Sequence, residues 1–139
     1  MCLDVVSKEW PYEQEEATFY KVLHIYSRNL NSPYYSYVWK AGENITQIIR
    51  PCKEDYFNLV KYIHFERPTE EVFDGLHCFL TMRSAEFCLG TLLRRGVYTN
   101  KYVVVKVTGK KEDFIALGSE DAVFTKLILS QEEYDRCVS

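Results

Sequence analysis

Residues 18–26 read Thr-Phe-Tyr-Lys-Val-Leu-His-Ile-Tyr, and the fold hangs on how this run is taken. Successive side chains of a strand point to opposite faces. Phe19, Lys21, Leu23 and Ile25 therefore share one face, and Tyr20, Val22, His24 and Tyr26 the other. Both faces are mostly apolar, which predicts a central strand covered on both sides. Two later runs have the same character. Tyr102 to Thr108 carries four valines, and Ala122 to Leu129 is almost wholly apolar. Between them and the first run lies one good helix. Ala85, Cys88, Leu89, Leu92 and Leu93 form an apolar stripe, Thr81 or Ser84 is the N-cap candidate, and Gly96 is the C-cap. The helix is expected over about 82–95, packed on one face of a sheet that includes 18–26, 101–108 and 122–129.

Shorter elements fill the rest. Tyr34 to Lys40 and Ile45 to Arg50 read as strands, the latter ended by Pro51, and Asn29 to Pro33 reads as a turn. Tyr56, Leu59, Val60 and Ile63 have helical spacing, so a short helix is expected over 53–63. Leu76 to Leu80 is a strand opened by Gly75, Gly109 to Glu112 a polar turn, and Asp113 to Leu117 another strand. Residues 1–16 form an acidic lead segment and 131–139 a polar tail with helical tendency. Strands outnumber helices and do not alternate with them. The fold class is therefore α+β, a single domain over 1–139, with a mixed or mostly antiparallel sheet of about six to seven strands.

The 139 residues fit one domain, and 47% apolar with 27% charged residues exclude a disordered, collagenous or coiled-coil chain. A net charge of −3 speaks against a basic nucleic-acid module. No apolar run approaches the ~18–20 residues that cross a membrane, and no signal segment opens the chain, so a cytoplasmic location is expected. The odd cysteine count (Cys2, Cys52, Cys78, Cys88 and Cys137) without a C-x-x-C pair predicts free thiols. His24, His64 and His77 show no metal-ligand spacing, and neither phosphate-loop nor nucleophile-elbow motifs occur. No metal and no cofactor are expected.

One composition figure is unusual, 15% aromatic residues with eleven tyrosines. In a strand, Tyr35, Tyr37 and Trp39 fall on one face. If that face is open, it forms a platform for planar groups, each ring contributing ~1–3 kcal/mol of stacking. Cations for an anionic ligand would come from Arg50, Arg83 and Arg94, with Lys40 and Arg95 nearby. His77 lies in a strand that leads into a helix N-terminus, where backbone N–H groups can meet an anion. The expected function is a non-catalytic module binding a small, planar, anionic, nucleotide-like ligand. If the aromatic face is covered instead, by the lead segment or by another subunit, a protein-interaction domain or a homo-oligomer takes its place.

Tyr20-Lys21-Val22, Ser32-Pro33, Gly42, Gly75-Leu76-His77-Cys78-Phe79, Val103 to Val107 and Ala122 to Leu127 follow one another in an order that resembles a diffuse group of small uncharacterised proteins of bacteria and their phages. That resemblance implies a phage or mobile-element setting, with ligand sequestration as the mode of action, and transfers no catalytic residue. Gly75 to Thr81 with Ser84-Ala85-Glu86-Phe87-Cys88 is similar to a strand-helix segment of ADP-ribosyltransferases. This implies a His or Arg near the early strand, where His24 and Arg28 stand, and a catalytic Glu on a late strand. Residues 122–129 contain no Glu, so Glu120 would have to serve. A transferase-like enzyme is the catalytic alternative.

Overall fold

A computed structural model describes residues 3–32, 37–45, 71–72, 75–94 and 101–138. The elements are β1 (Leu3–Asp4), β2 (Glu16–Tyr26), β3 (Asn29–Asn31), β4 (Val38–Trp39), β5 (Gly42–Ile45), β6 (Glu71–Val72), β7 (Leu76–Phe79), α1 (Met82–Arg94), β8 (Lys101–Lys110), β9 (Phe114–Leu117), β10 (Asp121–Phe124), β11 (Lys126–Leu129) and α2 (Gln131–Val138). The expected helix over 53–63 and most of the expected strand over 45–50 lie outside the described residues.

β2 is the central strand. It pairs with β8 along nearly its whole length, from Glu16↔Lys110 to Ile25↔Lys101. Its other edge is shared, by β7 at Tyr20↔Phe79 and by β3 from His24↔Asn31 to Tyr26↔Asn29. The full path runs β5-β11-β8-β2-β7-β10-β9, with β3 and β4 added beside β2, and every pairing is antiparallel. The molecule is thus an α+β domain, built on a sheet that has nine strands among the described residues. β1 and β6 form a separate two-stranded pair.

Nine strands exceed the six to seven read from the sequence for two local reasons. The run 122–129 is two strands, β10 and β11, broken at Thr125. Residues 29–31 form β3 rather than a turn, because the chain reverses earlier, at Ser27 and Arg28. Both have positive φ, 50° and 63°, as a two-residue hairpin turn requires.

The break at Thr125 bends the whole sheet. β10 and β11 are joined by this single residue, yet β8, β2 and β7 lie between them. In a flat sheet that separation would be about 19 Å. One linking residue spans at most about 7 Å between its neighbours. The sheet must therefore curl until its flanks approach. The Thr125 N–H donates to the Asp113 carbonyl at 2.8 Å, and Lys126 pairs with Asp113 at 3.7 Å across the same seam.

The concave face holds the main core. Phe19 and Leu23 of β2, Val105 and Val107 of β8, Leu76 and Cys78 of β7, Phe124 of β10 and Leu127 and Leu129 of β11 all point there. The lead segment plugs one end. Trp10 packs edge-on against Phe114 and Phe124, with ring centroids 5.4 and 6.1 Å apart. The polar tail is helical, as its composition suggested, and α2 places Tyr134, Cys137 and Val138 on the core. It also covers an edge. β11 pairs with β8 only at Ile128↔Thr108, and Arg136 donates to the Val104 carbonyl at 3.2 Å beyond that point. On the convex face α1 lays Ala85 and Leu92 against Val22, with Leu89 and Cys88 partly buried around them. No helix among the described residues is long and apolar enough to cross a membrane. Cys78, Cys88 and Cys137 are free thiols; Cys2 and Cys52 lie outside the described residues.

Gly109 is not the turn residue that the sequence suggests but an interior position of β8. A Cβ there would stand 2.5 Å from Phe124 Cζ and 3.0 Å from Phe19 Cε2. Both rings are fully buried and packed edge to face with centroids 4.9 Å apart, so neither can give way. Gly109→Ala is expected to cost about 1–3 kcal/mol by overpacking. Urea melts check it, and an unchanged midpoint would mean that the rings can shift.

Candidate functional site

Two groupings on β2 stand out, one on each face. The first is centred on Lys21. Strand alternation puts it between Phe19 and Leu23, on the concave side. β2 and β7 separate just past Tyr20↔Phe79, because β3 takes over the β2 edge. The Lys21 ammonium reaches across this opening and donates to the His77 carbonyl at 2.6 Å. It also stands over the Trp39 ring, 5.9 Å from the centroid. Burial removes the charge from water and lowers its pKa to about 8. The Cys78 thiol beside it is pushed far up by the same burial and stays neutral.

Several residues singled out in the sequence meet here. Trp39 is 1% exposed, and its indole N–H donates to Ser32 Oγ at 2.8 Å. Tyr37 packs edge-on against it at 5.8 Å. The Tyr37 hydroxyl contacts Asn44 Oδ1 at 3.2 Å, and its pKa is raised by burial. Asn44, fully buried, also accepts from the Lys40 N–H and donates to the Lys40 carbonyl, both at 2.9 Å. At Trp39 the expected platform is thus closed: the ring is a core residue. His77 is buried too, its side chain on the face opposite Leu76 and Cys78. Arg83 is exposed in the first turn of α1, away from this cluster. Thr81 caps that helix, its Oγ1 accepting from the Ser84 N–H at 3.1 Å. Arg94 is the last residue of α1, while Tyr35 and Arg50 lie outside the described residues.

The second grouping is a row of rings on the convex face. His24 stands 6.1 Å from Tyr26 and 5.3 Å from Tyr102, its cross-strand partner, with ring planes inclined by 32° and 35°. α1 covers the Tyr102 end. It leaves Tyr26 at the other end 63% exposed. The β2–β3 turn places exposed Arg28 two residues beyond that ring, in the left-handed region at φ 63°. Asn29 and Asn31 are the cross-strand partners of Tyr26 and His24.

Lys21 and Tyr26 were not among the residues chosen from sequence, whereas His24 and Arg28 were named for the transferase alternative; Lys21 and Tyr26 each left a signal. A lysine inside the apolar run Phe19, Leu23, Ile25 must bury its amine or distort the strand. A tyrosine at the end of a strand followed by Ser-Arg is the other signal, faint without an Asn-Gly turn. For the transferase alternative, β7 lies between β2, which carries His24, and β10, which Glu120 precedes as an exposed residue. Among the described residues no group of three or more His, Cys, Asp or Glu could hold a metal. No family model, curated protein or solved structure matches the chain.

Proposed function

We propose that the chain acts by binding a small, planar, anionic ligand of the nucleotide class, and that the ring row on the convex face receives it. One observation carries this reading: Tyr26 is 63% exposed at the end of a row of tilted rings, two residues from an arginine held at a hairpin tip. An exposed ring backed by two others offers a rigid face for a base. Arg28 supplies the charge-assisted contact that a phosphate requires. Sequestration of the ligand, without chemistry on it, is the mode of action this arrangement suits.

Calorimetry against a panel of nucleotides tests the proposal. Tyr26→Ala is expected to weaken binding by ~1–3 kcal/mol, the value of one stacked ring, with the melting temperature nearly unchanged. Arg28→Ala is expected to make the remaining affinity less sensitive to salt. Equal affinity of wild type and Tyr26→Ala, or no binding at millimolar nucleotide, defeats the reading. A second reading, a protein-interaction domain, draws on Phe87 and Leu93, which are 76% and 58% exposed on α1.

A further inference from the structure

The outer face of α1 carries a glycine that the fold does not require. Ala85 and Leu92 face the sheet. At about 100° per residue, Gly90 lies roughly 140–160° round the helix from them. Glycine is the least favourable helix residue after proline. Positive φ occurs at Gly42 and Gly75 but not at Gly90. A Cβ at Gly90 would meet nothing within 4 Å. Nothing among the described residues therefore calls for glycine here. A glycine on an outer helix face lets another helix approach closely.

The residues around it form a pattern that is its own complement. Phe87, 76% exposed, and Leu93, 58% exposed, stand three positions before and after Gly90. Each is about 4.5 Å along the axis and roughly 60° round from it, on opposite sides. A two-fold axis at Gly90 turns a second α1 antiparallel and sets Leu93 of one copy level with Phe87 of the other. Four positions either side stand Glu86 and Arg94, so the same axis sets an acidic residue level with a basic one at both ends.

We propose that a second copy of this chain docks antiparallel on α1, Gly90 against Gly90, as an isologous dimer. Removal of Phe87 and Leu93 from water drives the contact, and the opposite charges at positions 86 and 94 fix its direction. The proposal rests on the interaction-domain reading of α1 and is independent of the nucleotide site.

Sedimentation of the full chain without nucleotide, over about 1–300 μM, tests it; one helix pair is a small interface, so dissociation in the micromolar range is expected. Gly90→Gln puts a side chain where the helices would touch but where a single copy has room. It is expected to leave the chain monomeric throughout. Its melting temperature, compared at concentrations where wild type is also monomeric, is expected to rise, which separates lost docking from lost folding. Glu86→Arg is expected to weaken the dimer at least about tenfold, because it sets like charges together at both ends. Combining it with Arg94→Glu is expected to restore the dimer. Wild type that stays monomeric at about 300 μM, beyond the range of a specific helix pair, overturns the proposal. So does a dimer that Gly90→Gln leaves as tight as wild type.

Discussion

Trp39→Ala is expected to lower the folding free energy by about 3–5 kcal/mol, the range for removing a fully buried large aromatic side chain. The indole is 1% exposed and belongs to the same core as Leu23, Leu30 and Phe124. Its removal also deprives Ser32 Oγ of its donor and the Lys21 ammonium of a ring face. β4 is only two residues long and is held to β3 by Leu30↔Trp39 and Asn31↔Val38, so the ring is its main anchor. A tryptophan used only as a ligand platform would behave differently, weakening binding while leaving stability untouched. Urea melts at neutral pH separate the two cases. A loss below about 1 kcal/mol would take Trp39 out of the core, since even modest core truncations cost that much.

The second large effect depends on pH. An unfolded lysine titrates near 10.5, whereas Lys21 in the folded chain does so at about 8. Between these values the unfolded chain binds more protons, so stability rises with pH. The penalty is fully present below about 8 and is lifted as the pH climbs toward 10.5. Lys21→Met removes the group altogether. From pH 7 to pH 10, wild type should gain about 2–3 kcal/mol relative to the variant. The raised tyrosines, Tyr12 and Tyr37, and the raised thiols are shared by both chains and largely cancel in the difference. Melts of both proteins across that range provide the check. A difference that does not change with pH would place the ammonium in water.

What the sequence discloses and what it hides can be seen residue by residue. The alternation over 18–26 and 102–108 was enough to name β2 and β8, because both faces of each strand are apolar and no other structure suits that pattern. The stripe of α1 was legible for the same reason. Hidden were features set by distant partners. Gly109 looks like a turn residue until Phe124 is seen filling the space beside it. Thr125 looks like one more strand residue, yet the chain there passes from one flank of the curled sheet to the other. Tyr37 and Trp39 were rightly placed side by side, but periodicity cannot tell a covered face from an open one. Trp39 proved to be covered, and the partly open row of Tyr26, His24 and Tyr102 belongs to β2 and β8. Ser27 and Arg28 adopt a left-handed hairpin turn that their residue types rarely advertise.

Aromatic chemical shifts read directly where a planar anion binds. Nucleotides are titrated into the isotope-labelled protein while the ring signals of Tyr26, His24 and Tyr102 and the Trp39 indole N–H are followed. Saturable shifts at Tyr26 and His24, accompanied by the Arg28 guanidinium and with the Trp39 indole unmoved, are the predicted result. Shifts confined to other residues, or none at millimolar nucleotide, would contradict it.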